Sequence, residues 1–420
     1  MIMQQLLVYL ISFISLFLAI FWIFVLFFEE DRIHQNPKAK RFPLVSIIIP
    51  AYNEAETIGA TLQSLLRADY PKNKFEIIVV ANNCSDNTAE EVRKIKSSKI
   101  KLLEVFWDKG INGKAHAQNI GMKYAKGEMI VIMDADTIVQ EDTLSLMVPY
   151  FEDPKIGMVA SGVKIHEPKN FLEKLQWFEF LSITLLRRLM SSLSILFVTP
   201  GAFNMYKKSA VEAVGGFDET TLTEDLDLAV HLLHDGYKVR SQLDAIVYAK
   251  AMRTPKAFHF QRVRWSRGFF AAMLKYRDML FNPKYGMLGQ FMMPTLFVIP
   301  WILIVLVSIV LYNLLLNAYN ALLFILTVGR NLDIYLPELT FKKLIFDVDV
   351  QIVMLTVIMA IFGIFLLFKA HKHLKEKLRY PITALIFLTF YQFLLSAYWL
   401  IALCYELVGA KKVWRGKKRW

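Results

Sequence analysis

The chain has 420 residues, 55% of them hydrophobic and 20% charged, with a formal net charge of +12. That apolar share is too high for an ordinary soluble enzyme, and many lysines and arginines flank hydrophobic stretches, which fits lipid headgroups and argues against a nucleic-acid partner. The two cysteines, Cys84 and Cys404, lie far apart, which argues against a disulfide framework or a zinc site and fits a reducing compartment.

Leu6 to Phe28 carries no charge. A helix needs roughly 20 apolar residues to cross the hydrocarbon core, so this run reads as a membrane anchor. It lacks a basic leader and a small-residue cleavage site, so it is expected to remain uncleaved. Arg32, Lys38, Lys40 and Arg41 follow, and the positive-inside rule then puts the N-terminus outside and the middle of the chain in the cytoplasm. The expected organisation is an anchor over 1–30, a cytoplasmic α/β domain over 43–285 and a membrane region over 286–420, a multi-pass protein of the cell membrane.

From residue 43 to about 250 the pattern changes. Short apolar runs (Val45 to Ile49, Ile77 to Val80, Ile130 to Met133) alternate with helix-like stretches (Glu54 to Leu66, Asp86 to Lys96, Ala115 to Ala125). That alternation predicts crossover connections and a mostly parallel sheet, whose ligands bind at the carboxyl ends of the strands. All three strand ends are polar: Pro50-Ala51-Tyr52-Asn53-Glu54, Asn82-Asn83-Cys84-Ser85-Asp86 and Asp134-Ala135-Asp136. In an extended chain residues i and i+2 share a side, so Asp134 and Asp136 repel each other unless a cation stands nearby.

Phe171 to Met190 suits either an interfacial helix or a buried amphipathic one, and Pro255 to Tyr276, mixing arginines with aromatics, suits the interface. His231 and His234 have the spacing of a metal pair but no evident third ligand, so packing is the better reading. Long apolar runs follow at Leu288 to Val328, Val350 to Phe368 and Ile382 to Val408. Lys369 to Arg379 and Lys411 to Arg419 are both basic, so the number of spans stays open.

Five motifs stand in one order: VSIIIPAYNEAETI, IIVVANNCSDNT, Asp134-Ala135-Asp136, Thr223-Glu224-Asp225, and Gln261-Arg262-Val263-Arg264-Trp265. Together they resemble the inverting family-2 glycosyltransferases of the GT-A fold, a Rossmann-like α/β architecture. The likeness is strongest to the membrane-embedded synthases of cellulose, chitin, hyaluronan and poly-N-acetylglucosamine, and it covers residues 43 to about 270. It implies transfer of a sugar, with inversion, from a nucleotide-sugar donor, in the first place a UDP-sugar, to a growing polysaccharide.

The same resemblance implies the roles. Ala51, Tyr52, Glu54 and Asn82 would line the donor nucleotide, Asp134 would contact the donor, and Asp136 would hold Mg²⁺ or Mn²⁺. A hard dication of that kind takes carboxylate, phosphate and water oxygens, and it neutralises a departing diphosphate. Asp225 would be the base that takes a proton from the acceptor hydroxyl, with Thr223 expected to cap the helix that follows. Gln261, Arg264 and Trp265 would meet the diphosphate and stack on the acceptor sugar.

One departure stands out. The family pattern has aspartates after the second strand where this chain has Ala81-Asn82, and an amide offers a donor as well as an acceptor to the base. Lys114 aligns with a family lysine and reads either as a phosphate ligand or as a surface lysine. Two other functions stay open, single-sugar transfer to a membrane lipid, as in ceramide glucosyltransferases, and a catalytically silent scaffold or transporter. The near absence of ionisable residues in the apolar runs weighs against the transporter.

Overall fold

The computed structural model describes residues 2–106, 113–328 and 350–410. The apolar N-terminal run forms one helix, α1 (Ile2–Glu29), followed by a 3-10 turn over Glu30–Arg32. The next elements alternate as the pattern predicts: β1 (Val45–Ala51), α2 (Ile58–Leu66), β2 (Phe75–Asn82), α3 (Thr88–Lys94), β3 (Ile100–Val105), α4 (Gly113–Tyr124) and β4 (Met129–Met133). The chain continues through β5 (Ile138–Val139), α5 (Thr143–Met147), β6 (Ile156–Ile165), α6 (Phe171–Ser192), β7 (Phe203–Lys207), α7 (Lys208–Ala213), α8 (Glu224–His234), β8 (Lys238–Ala249) and α9 (Pro255–Lys275).

These strands form one sheet in the order β3-β2-β1-β4-β7-β6-β8-β5. β3, β2, β1 and β4 are parallel neighbours, and the apolar runs of β1, β2 and β4 are buried on both faces as such strands require, whereas the edge strand β3 is partly exposed. Alternate residues serve opposite cores: Ile48, Ile78 and Ile130 face one cluster, while Ile47, Ile49, Val79 and Val131 face the other. The rest of the sheet departs from the mostly parallel expectation, because β7 runs antiparallel to both β4 and β6. That reversal has a structural use. With Met133 paired to Phe203, the segment entering β7 arrives at the same edge where β1, β2 and β4 end.

α6 is a core helix. Asn170 and Glu173 close a capping box at its start, and Leu175, Trp177, Phe178, Leu181, Leu185 and Leu189 are buried. Arg188, on the same helix, donates to Ile33 O, Arg32 O, Gln35 O, Ser241 O and the Tyr150 hydroxyl, so it ties the turn after α1 to the sheet. α9 begins with Thr254 accepting from Ala257 N and Pro255 in its first turn, and it buries Phe258, Phe269, Phe270 and Met273.

Among the described residues, three apolar helices follow: α10 (Met293–Val328), α11 (Val350–His373) and α12 (Pro381–Leu407), the last with a π segment at Phe387–Tyr391. Among the described residues, Tyr9–Arg32 and Pro381–Leu407 are long and apolar enough to cross a bilayer. The basic stretch 411–419 lies outside the described residues.

Candidate active site

The acidic turn after β4 is fixed by the backbone. Asp134 N donates to Ala202 O at 3.0 Å, and Thr137 N donates to Asp134 O at 3.2 Å. Burial, helped by Asp134 and Glu54, pushes the Asp136 carboxyl up to about 7, and the positive charges of Lys250 and Lys114 only partly oppose this. The turn therefore resists a second negative charge in the absence of a further cation. Among the described residues, no group of three or more His, Cys, Asp and Glu side chains could hold a metal ion by itself. A dication here would fit by taking one or two carboxylates and completing its shell with substrate oxygens and water.

Lys114, at the start of α4, is not a surface residue. Its Nζ lies 2.6 Å from Asp134 Oδ1 and 3.0 Å from Glu224 Oε1, with 15% of the side chain exposed. Burial alone would lower its pKa, but Asp134, Glu224 and Asp225 outweigh burial and raise it, so the ammonium stays charged. One cation thus joins the acids after β4 to the acids that open α8.

Asp225 sits in that second group. Burial, with Glu224 adding to it, lifts its carboxyl to about 6 against the pull of Lys114 and Arg264. Its Oδ1 accepts from Leu226 N at 2.9 Å. Its Oδ2 faces Gly201, where an added Cβ would lie 2.8 Å away. The expected cap by Thr223 does not form, since the Thr223 side chain makes no capping bond to α8. Its side chain packs against α9 instead, in the space that Gly268 leaves. Gly268 approaches so closely that a Cβ there would stand 2.3 Å from Thr223 Oγ1. Arg264 Nη1 holds the same junction by donating to Leu222 O at 2.9 Å.

At the other end of the cleft β1 and β2 finish side by side, with Ala51 opposite Ala81. Asn82, 6% exposed, donates from Nδ2 to Gly113 O at 2.9 Å, and its Oδ1 has no hydrogen-bond partner among the described residues. Gly113 O can only accept, so the amide orientation is fixed and the carbonyl is what Asn82 offers. Ala51 is buried and its carbonyl meets the Cys84 thiol. Tyr52 is half-buried beside it. Glu54 accepts from Thr57 Oγ1 at 2.9 Å, and Asp86 accepts from Ala55 N and Thr88 N, which pins the two strand-end loops together.

Of the α9 motif, Arg264 reaches the Thr223–Asp225 loop, whereas Gln261 and Trp265 stand on the same helix half-buried. The Arg262 guanidinium lies 4.5 Å from the Trp265 ring centroid and pairs with Glu179 of α6 through two bonds of 2.7 and 2.6 Å. The Tyr391 hydroxyl of α12 donates to Glu179 Oε2 at 2.8 Å, and Arg267 reaches Glu406 Oε1 at 2.5 Å and Ala410 O at 2.7 Å. His234 bonds Asp235 and Asp278, and both His231 and His234 pack against Tyr276.

Sequence reasoning missed the segment Val198–Ala202, which supplies partners to Asp134 and Asp225. Its residues carry no charge, and the sole signal was the Pro200-Gly201 turn pair ahead of an apolar run. Arg187 of α6 joins this segment, donating from Nε to Val198 O at 3.1 Å.

Comparison with known proteins bears on the family and the fold. Residues 43–268 match the family model described as glycosyltransferase like family 2. The poly-beta-1,6-N-acetyl-D-glucosamine synthase of Staphylococcus aureus (strain COL) is 33% identical over 274 residues, which covers 63% of this chain and 65% of that one. The synthase of the same name from Staphylococcus epidermidis is 31% identical over 276 residues with the same coverage, 63% and 65%. The chain thus spans 65% of the length of these relatives. Among solved structures, a mannosyltransferase from Pyrobaculum calidifontis, in complex with GDP-mannose and Mn²⁺, matches with a TM-score of 0.59 at 21% identity, covering 96% of this chain and 100% of that one. At that identity the likeness speaks for the fold, a GT-A architecture.

Proposed function

Because this chain belongs to the glycosyltransferase-like family 2, we propose that it is a membrane-bound inverting transferase that adds N-acetylglucosamine from a UDP-linked donor to a growing polysaccharide. The sugar and the polymeric product are supported by the named relatives, and the basic residues that follow α1 support a catalytic domain on the cytoplasmic side. The observation that carries the reading is the Lys114 bridge, which brings Asp134 and the Glu224-Asp225 pair into one cleft.

In this reading the donor's base rests against Ala51, Tyr52 and Asn82, while Glu54 holds the loop and adds charge near Asp136. Asp134 and Lys114 meet the sugar and the diphosphate. Asp136 would hold Mg²⁺ or Mn²⁺, and the positive charge of such an ion would stabilise a departing diphosphate. Arg264 adds a fixed positive charge beside the Thr223–Asp225 loop. Asp225 takes the acceptor's proton at Oδ2, the oxygen that faces Gly201, because Oδ1 already accepts from Leu226 N. Gln261 and Trp265 lie toward the acceptor. The ring face of Trp265 opposite Arg262 is the one a sugar would stack on.

The test is incubation of the purified full chain with UDP-N-acetylglucosamine, UDP-glucose and GDP-mannose, each with Mn²⁺ or Mg²⁺, followed by mass analysis of products. A ladder of N-acetylglucosamine oligomers is expected. A single glycosylated lipid under every donor-to-acceptor ratio, or no transfer from any donor, would overturn the proposal.

A further inference from the structure

Away from the cleft, a second cluster of titratable side chains joins the α/β domain to the apolar helices. β8 loses its register with β6 between Gln242 and Ile246, and Gly162 makes room for the bulge, since a Cβ there would stand 2.4 Å from Leu243 O. Asp244 lies on this bulge. Its Oδ1 is 2.8 Å from His34 Nδ1, and its Oδ2 accepts from Asn36 Nδ2 at 3.0 Å. His34 Nε2 in turn lies 3.2 Å from Nδ1 of His373, the last residue of α11. His373 Nε2 is buried with no hydrogen-bond partner among the described residues, and Glu30 Oε1 stands 3.9 Å from it.

The hydrogens of this row cannot all be placed while both rings are neutral. An ionised Asp244 can only accept, so His34 Nδ1 carries a hydrogen, and a neutral His34 then offers only a lone pair at Nε2. His373 must answer with a hydrogen on Nδ1, which leaves its buried Nε2 bare and facing the Glu30 carboxylate. The other tautomer of His373 sets two lone pairs against each other across 3.2 Å. One added proton removes the conflict. With both nitrogens of His34 protonated, His34 donates to Asp244 and to His373 Nδ1, and His373 Nε2 carries a hydrogen toward Glu30. A second proton would set two N–H groups head to head. The first belongs on His34, whose side chain is 40% exposed and beside Asp244, whereas that of His373 is 5% exposed. Burial, with His34 beside it, holds His373 well below the ordinary imidazole range.

The other charged groups around the pair already have partners. Glu30 is held by Lys369 and Lys372 of α11, and Arg32 stands by Glu29 at the end of α1. Lys164 of β6 reaches Leu374 O and Glu376, His371 of α11 is bound to Leu367 O, and Arg188 of α6 donates to the carbonyls on either side of His34. We propose that His34 and His373 form a proton-operated lock between the bulge of β8 and the apolar helices, closed when the pair holds one proton and loosened when it holds none. Closure completes a row of hydrogen bonds from Asp244 to Glu30, and through Glu30 to Lys369 and Lys372. A proton held more tightly in the closed lock than in the open one stabilises the closed form on the acid side, and that contribution is lost as pH rises. Imidazoles change charge between about pH 5 and 8, which sets the range of the response.

The test uses the full chain in lipid nanodiscs and follows amide hydrogen exchange over residues 33–36 and 373–376, corrected for the intrinsic effect of pH. Protection in wild type is expected to be about tenfold higher at pH 6 than at pH 8. His34→Gln keeps a donor and an acceptor but cannot take the proton, so its protection should be the same at both. Asp244→Asn should move the wild-type transition about one pH unit lower, because the imidazolium loses its counter-charge. Histidine-labelled NMR spectra of wild type need no variant, and they decide the matter should the variants fail to fold. At pH 6 they should show one doubly protonated ring bonded to a neutral one, and at pH 8 two neutral rings. Equal wild-type protection at the two pH values, pH dependence retained in His34→Gln, an unmoved transition in Asp244→Asn, or two neutral rings at pH 6 would overturn the lock. None of these measurements involves a nucleotide sugar, so the lock stands or falls apart from the transferase reading.

Discussion

Asp225 combines burial with a neighbouring acid, and both effects favour its protonated form. If it is the base, transfer should fall about tenfold per pH unit below about 6, and a pH profile of kcat/KM reads this directly. Its stability linkage has a definite sign. A carboxyl lifted from 3.8 to about 6 binds its proton more tightly in the fold, so its contribution to stability is lost as pH rises between those values. Asp225→Asn should therefore raise the melting temperature at pH 8, have a smaller effect at pH 4, and lower turnover about a hundredfold or more with UDP still bound. Asp136→Asn should abolish transfer without loss of folding, and wild-type activity should vanish in a chelator and return with Mg²⁺ or Mn²⁺. Full activity in the chelator would remove the metal from the scheme. Asn82→Asp restores the residue type of the family pattern, yet here it would set a carboxylate oxygen against Gly113 O, 2.9 Å from the present amide nitrogen. Loss of that bond should weaken UDP binding about tenfold, measured by calorimetry.

At the level of elements, the contact between α8 and α9 is the most sensitive. Gly268→Ala would drive a methyl into Thr223, so α9 must shift away from the Asp225 loop; the expected cost is about 1–3 kcal/mol and a large loss of transfer. Thr223→Ala in the same chain should restore part of both, and failure of that rescue would place the damage elsewhere. This contact also shows where the sequence could be read and where it could not. The apolar runs of β1, β2 and β4 and their polar ends were legible, because buried parallel strands and their ligand-facing termini leave a local signature. The helix start at Glu224 was legible too, but not the neighbour against which Thr223 packs, since Gly268 lies far along the chain. The Lys114 bridge and the Val198–Ala202 segment were hidden for the same reason. The bridge joins three elements far apart in the chain, the segment depends on the antiparallel register of β7 on β4, and no local pattern encodes either.

Across the whole molecule, the sheet is fastened to the apolar helices at both ends of the chain. Arg188 collects carbonyls from the turn after α1, Glu30 pairs with Lys369 at 2.6 Å and with Lys372 at 2.9 Å, and Lys164 reaches Leu374 O and Glu376. Arg188→Met should leave several buried acceptors without their donor, costing about 3 kcal/mol and exposing the link between Arg32 and Arg41 to protease. Resistance of that link in the variant would show that other contacts suffice. The ties of α9 to Tyr391, Glu406 and Ala410 reach in the same direction, and they set an order in time. Translation runs from the amino end, so α9 leaves the ribosome before any of these partners exists. The helix that carries Arg264 and Trp265 waits half-assembled until α12 has been made and folded back against it.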